Sequence, residues 1–284
     1  MKIAVLSGKG GTGKTTVAAS LAMVIPGCQY LDCDIEEPNG FIFLKPQVTE
    51  SEDVNVLCPE VREDHCNRCG SCAKICQFNA IAVTSKKVFV FPELCHHCGA
   101  CLLVCQSFAL TEISRKIGVI ESTAHNQFVQ GRLNIGEPAG LPIIAGLKKR
   151  INPNRTAILD CSPGSACAVV RSLEGCDYAL LVTEPTPFGL HDLKIAVELV
   201  RKMRIPAGVV LNKSGSANQA IETYCNLECL PILMEIPFSR EIAEHYSQGQ
   251  LPVQGSEHWQ DLFKMLHWRI GEEVSHEANR FCQR

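Results

Sequence analysis

The ten residues SGKGGTGKTT at positions 7–16 leave this chain few ways to fold. They follow KIAVL (2–6), a short apolar run with the texture of a buried parallel strand. They lead into a stretch from Thr15 to Ile25 that reads as a helix, stopped by Pro26-Gly27. A strand, a glycine-rich turn and a helix in that order make an anion cradle. Glycine lets backbone N–H groups curl round phosphate oxygens, and the helix N-terminus adds its positive dipole end. The spacing G-x-x-x-x-G-K-T is met by Gly8, Gly13, Lys14 and Thr15, with Gly10, Gly11, Thr12 and Thr16 completing the loop. Lys14 is placed to reach the β and γ phosphates of a nucleotide, and the Thr15 hydroxyl to hold Mg2+.

Further on, strands and helices alternate. QYLDCD (29–34) reads as a strand ending in acids, VNVLC (54–58) as a third strand, and TAILDC (156–161), YALLVT (178–183), GVVLN (208–212) and PILMEI (231–236) as others. Helical stretches fall near 189–203, 217–227 and 239–248. A last amphipathic helix sets Trp259, Leu262, Phe263, Leu266 and Ile270 on one face. Near-continuous apolar strands alternating with helices predict an α/β fold, a parallel sheet with helices on both faces.

Between His65 and about Glu112 the texture changes. CNRCGSCAKIC (66–76) and CHHCGACLLVC (95–105) each carry the spacing C-x2-C-x2-C-x3-C, at a fixed offset of 29 residues. Thiolates are soft ligands, and four per site suit a [4Fe–4S] cluster; a structural zinc ion also takes four cysteines, usually as two knuckles across a longer gap. Gly70 and Gly99 fall where a side chain would crowd the sulfurs. The chain holds 17 cysteines and its first strand starts at Lys2, which points to a reducing cytoplasm rather than a disulfide scaffold. A net charge of −3 gives no reason to expect nucleic acid or an anionic membrane as partner, and no apolar run is long enough for a membrane span.

The early lysine of the loop, Lys9, resembles the deviant loop of the MinD, ParA, Mrp and nitrogenase iron protein group of ATPases. With the cysteine segment the chain resembles P-loop ATPases of that superfamily carrying an inserted bacterial-type 2[4Fe–4S] ferredoxin domain of α+β fold. The resemblance implies a discontinuous ATPase domain, 1–62 and 113–284, around an insertion at 63–112. It implies an ATP-dependent homodimer in which Lys9 reaches the partner's phosphates. LDCDIEEPN (31–39) is similar to the first switch, with Asp34 orienting the attacking water. ILDCSPGSA (158–166) is similar to the second, with Asp160 on a Mg2+-bound water and the Gly164 N–H facing the γ-phosphate. Asn212 falls where the group reads adenine, and Pro237 where the chain packs on the base. In two-cluster ferredoxins the fourth cysteine of each run serves the other cluster. That implies one cluster on Cys66, Cys69, Cys72 and Cys105 and another on Cys76, Cys95, Cys98 and Cys101. Gln77 and Gln106 depart from the usual C-P ending of such runs.

These features imply an ATPase (ATP and water to ADP and phosphate) with Mg2+ and two [4Fe–4S] clusters. Nucleotide-driven movement would be coupled to electron transfer or metallocluster handling with a partner protein. Two alternatives stand beside it: an Mrp-like carrier or scaffold for iron–sulfur or metal cofactors, and a MinD-like positioning ATPase in which the insertion is structural. The last would need a membrane-seeking helix, and the acidic C-terminal helix is a poor match. Cys167 lies where a nitrogenase iron protein ligand would, but no obvious second ligand accompanies it, and a buried or redox-active role is expected. Cys225 and Cys229 share a helix face and are expected to be packing residues, with a surface metal pair as the alternative.

Overall fold

The computed structural model describes residues 1–282. Strand β1 (Lys2–Leu6) lies inside a nine-stranded sheet, flanked by β8 (Ala157–Cys161) and β9 (Tyr178–Thr183). Beyond β9 come β10 (Ala207–Ser214) and β11 (Ile232–Pro237). Beyond β8 come β2 (Gln29–Cys33), β7 (Phe128–Leu133), β6 (Leu110–Ser122) and β3 (Glu50–Val61). The seven strands from β11 to β7 run parallel, while β6 and β3 are antiparallel additions. The expected wholly parallel sheet is thus a mixed one. The run 54–58 belongs to a long edge strand, and the strands at 110–122 and 128–133 stand where the sequence pattern marks none.

The central strands are apolar all along because both their faces are covered. In β1, Ile3 and Val5 face one core and Ala4 and Leu6 the other; Tyr178, Leu180 and Val182 alternate with Ala179 and Leu181 in the same way. One core is closed by α1 (Lys14–Val24), α2 (Gly40–Leu44) and α10 (Glu257–Cys282), through Val17, Leu21, Phe43, Phe263, Leu266 and Ile270. The other is closed by α5 (Leu141–Lys149), α6 (Cys167–Leu173), α7 (Pro187–Lys202) and α8 (Gln219–Leu227). In the central strands parity therefore decides to which face a residue points.

Strands β3 and β6 form a ribbon along the sheet edge, paired from Glu50↔Ser122 to Val61↔Leu110 with a bulge at Ile117. The cysteine segment occupies the tip. It holds two short helices, α3 (Ser71–Ile75) and α4 (Ala100–Leu103), and a small hairpin of β4 (Ile81–Val83) and β5 (Val88–Val90). Its own small core joins Ile81, Val88, Cys101 and Leu110, while Ala80 and Cys95 pack into the main core beside Cys58 of β3.

Candidate functional site

The carboxyl ends of β1, β2 and β8 meet the start of α1, as open α/β sheets place their ligand crevices. Asp32 and Asp160 are partners on adjacent strands, on the face where Tyr30 and Ile158 enter the α1-side core. Lys14 opens α1 and lands between the acids: its Nζ is 2.5 Å from Asp160 Oδ1 and 3.9 Å from Asp34 Oδ2. The Tyr30 hydroxyl donates to the other Asp160 oxygen at 2.8 Å. Asp32 accepts N–H bonds from Asp34 (3.2 Å), Asn39 (3.1 Å) and Gly40 (2.9 Å), and so holds the turn that presents Asp34.

One glycine of the loop is required on steric grounds. Gly13 has φ +91°, and a Cβ there would collide with the Asn212 amide nitrogen. No side chain caps α1, so its first N–H groups stay open to an anion. The Asn212 amide donates to the Thr12 carbonyl at 2.7 Å, and Lys213 Nζ to the Gly11 carbonyl at 3.1 Å. Lys9 and Lys213 share Glu184, at 2.5 and 2.9 Å. Gly164, at φ +91°, donates its N–H to the Ser7 carbonyl at 2.9 Å.

A cavity of about 470 Å3 opens over the loop. Lys9, Gly10, Gly11, Gly13, Lys14, Thr15, Thr16, Asp34, Asn212 and Pro237 line it, whereas Gly8, Thr12, Asp160 and Gly164 do not. Its opposite wall is apolar: Phe238, Ile242 and Tyr246, near and within α9 (Arg240–Ser247), with Trp259 and Phe263 of α10. The sequence marks Trp259 and Phe263 only as a buried helix face; their second role depends on where α10 crosses α1. One half of the cavity thus offers N–H groups and an ammonium, and the other offers flat apolar surface.

The charges are unevenly balanced. Burial alone would pull the Lys14 ammonium down, but the Asp160 charge and hydrogen bond, with Asp34 and Asp32 behind, hold it above the usual lysine range. Burial and the neighbouring Asp160 push Asp32 up to about 8, against the N–H groups and Lys14. Burial also lifts Asp34, against the pull of Lys14. Burial raises Glu184, but Lys9 and Lys213 together overcome it and hold that carboxyl below its usual range. The acids around the Lys14 ammonium outnumber it, an arrangement that favours a further cation at the cavity.

At the ribbon tip the eight run cysteines fall into two small cavities. One is lined by Cys66, Cys69, Cys72 and Cys105; the other by Cys76, Cys95, Cys98 and Cys101. Each cavity takes three cysteines from one run and the last of the other. The backbone repeats with the sequence. Arg68 and His97 (φ 57° and 56°), Gly70 and Gly99 (81° and 71°), and Asn79 and Phe108 (53° and 50°) are all left-handed. Ala80 N–H donates to Cys76 Sγ and Ala109 N–H to Cys105 Sγ, both at 3.3 Å. At Cys105 such bonds favour thiolate over thiol. At Cys105 burial opposes them, yet the Ser107 hydroxyl and the N–H groups keep the thiol below its usual range.

A third grouping has no signature in the sequence. Cys58, Cys95 and His97 place one ligand atom each within 4.8 Å of the others, with Cys58 Sγ 3.3 Å from His97 Nδ1. Burial first, then Arg115, holds His97 below its usual range, so its ring is neutral at neutral pH. Of the other cysteines, Cys28, Cys33, Cys161, Cys176 and Cys225 are buried and Cys167 and Cys229 exposed; Cys229 lies beyond the end of α8 at φ 51°, so it does not share a helix face with Cys225.

The profile of the CobQ/CobB/MinD/ParA nucleotide-binding domain matches residues 3–253. The chain belongs to that family. Within it, uncharacterized protein MJ0579 of Methanocaldococcus jannaschii is 32% identical over 88% of this chain and 90% of its own. The family fold is shared with the septum site-determining protein MinD of Pyrococcus horikoshii, solved with Mg-ADP (TM-score 0.54, 19% identity, 93% of each chain). It is also shared with McdA of Cyanothece, solved as a variant in complex with ATP (TM-score 0.58, 16% identity, 95% of this chain and 96% of that one). The matched family is one of nucleotide-binding domains. No helix among the described residues is long and apolar enough to cross a membrane.

Proposed function

We propose that this chain is an ATP-hydrolysing, iron–sulfur ATPase that works as an ATP-dependent homodimer and couples nucleotide state to electron transfer or metallocluster handling with a partner protein. The crossed sorting of eight thiols into two cavities carries this reading: it gives two four-thiolate sites of soft-ligand chemistry on a ribbon hydrogen-bonded into the ATPase sheet. The thiols and the N–H groups aimed at them fit two [4Fe–4S] clusters, which supply one-electron chemistry when bound. In this reading 63–112 is the inserted ferredoxin domain, and 1–62 with 113–284 the ATPase domain.

At the nucleotide, the loop N–H groups and Lys14 bind the phosphates, and the apolar wall around Pro237 and Trp259 holds the base. Thr15 and Asp160 would hold Mg2+, which neutralises phosphate charge. Asp34 accepts a hydrogen bond from the attacking water and orients it. Lys9 leaves Glu184 to stabilise charge on the facing protomer's phosphates. Asn212 would contact adenine after releasing the Thr12 carbonyl, and Gly164 would turn its N–H from Ser7 toward the γ-phosphate.

Anaerobically purified protein should carry about eight iron and eight sulfide per chain. Cys66→Ser with Cys105→Ser should cost one cluster, and Cys66→Ser with Cys76→Ser should damage both. Stoichiometric zinc in place of iron, or equal damage from the two pairs, would sink the cluster assignment. Lys9→Ala should keep nucleotide binding and lose hydrolysis; wild-type turnover in that variant would remove the dimer mechanism. The likeness to MinD and McdA folds favours a second reading, a positioning ATPase with a structural insertion. Faster reoxidation of dithionite-reduced protein by an acceptor on adding ATP separates the first from the second; nucleotide-dependent pelleting with liposomes would favour the second.

A further inference from the structure

The iron–sulfur reading uses eight cysteines and leaves Cys58 and His97 out, yet both stand against one of the eight. Cys58 belongs to β3, part of the sheet, and is 1% exposed; Cys95 is 9% exposed and packs in the same core. His97 follows two residues later in a left-handed turn (φ 56°), and its own N–H lies 3.4 Å from Cys95 Sγ. That turn swings the ring back over β3, where Nδ1 comes 3.3 Å from Cys58 Sγ. Arg68, its counterpart in the first run, has the same backbone but an exposed side chain turned to the Lys86 carbonyl. The two halves of the repeat therefore differ here, and only the second has a thiol and an imidazole added beside its first cysteine.

Ligands about 2.0–2.3 Å from one tetrahedral ion lie roughly 3.3–3.8 Å from each other. The three atoms of this group all fall within 4.8 Å, so a small inward movement brings them onto a single ion. Two sulfurs so close are placed to serve one metal atom in common. Two thiolates would neutralise a dication, so no further countercharge is needed. The nearby Arg115 is already matched, with both its terminal nitrogens on Glu137 at 2.8 and 2.7 Å.

We propose that Cys58, Cys95 and His97 form a binding site for one soft divalent cation of the Zn2+ type, held by two thiolates and Nδ1 with a fourth position open. The proposal rests on the cluster reading in one respect: the site shares Cys95 with the second cluster, so the two cannot be filled together. An ion there withholds Cys95 and stops the second cluster from being built, while the first cavity is untouched.

The test uses zinc itself as the probe, on the full-length chain under anaerobic conditions. In Cys76→Ser/Cys98→Ser/Cys101→Ser the second cluster is lost, and the first, with about four iron, reports on the fold. This variant should bind one zinc, and absorption at the zinc edge should show two sulfurs and at least one nitrogen. Adding Cys58→Ala or His97→Gln should weaken zinc by at least about 100-fold, the upper limit for losing a mere supporting partner. In wild-type cysteine background, one zinc per chain during cluster assembly should halve the iron, and Cys58→Ala should restore it. Zinc held equally well without Cys58 or His97, or zinc bound beside a full complement of iron, would overturn the proposal. If no variant takes up iron but zinc still needs Cys58 and His97, the cluster reading falls and the cation site stands.

Discussion

Asp32 is fully buried, accepts three backbone N–H bonds and faces a second carboxylate across one strand spacing. Its folded value of about 8 lies above its ordinary 3.8, so the fold favours the protonated acid. Any stability from that preference is complete below the ordinary value and is lost as pH rises through about 8. Asp32→Asn keeps one oxygen for the Asn39 and Gly40 N–H groups, gives up the acceptor of the Asp34 N–H at every pH, and removes the charge. Its thermal midpoint should therefore gain on wild type between pH 5 and pH 9, as followed by circular dichroism; a difference independent of pH would refute this. Asp34 and Asp160 can be read from the sequence as acids at strand ends. Asp32 cannot, because it stands inside an apolar strand. Its role depends on parity, and parity acquires meaning only once α1 is known to cover that face.

At the scale of elements, the parallel strands are legible because burial on both faces leaves an unbroken apolar run. The ribbon is not. In β6, LTEISRKIGVIES is largely exposed over its outer half and buried only where it joins the sheet, so its alternation fades midway. Arg115 sits in that outer half and ties three pieces together. It holds Glu137 in the turn after β7 with both terminal nitrogens, and one of these also reaches the Pro92 carbonyl of the cysteine segment at 3.3 Å. The Glu137 side chain is 5% exposed, so removing its cation strands a buried carboxylate. Arg115→Met should cost about 3 kcal/mol in urea unfolding, and Arg115→Met with Glu137→Leu should recover most of it. A single variant within about 0.5 kcal/mol of wild type, the scatter of ordinary surface substitutions, would show the pair to be ornamental.

Across the whole molecule, the cysteine segment enters and leaves through one pair of adjacent residues: Val61 faces Leu110, and Arg62 N–H donates to the Ala109 carbonyl at 2.7 Å. Joining Arg62 to Ala109 by Asn-Gly gives the two-residue loop that antiparallel strands close most readily. With Cys58→Ser to cover the uncovered thiol, that shortened chain should fold, bind Mg-ADP within about threefold of wild type by calorimetry, since the loop and its cavity are untouched, and hold no iron. Failure to fold would mean that Ala80 and Cys95 are indispensable to the main core they join. The sheet's register is set below the tip and does not depend on what the tip carries. Such a hairpin end is a grafting point, where a self-contained unit can be acquired by one recombination and doubled in place, consistent with the 29-residue offset from Cys66 to Cys95. The inherited history of the tip can then run separately from that of the ATPase, and each can be exchanged without rewriting the other.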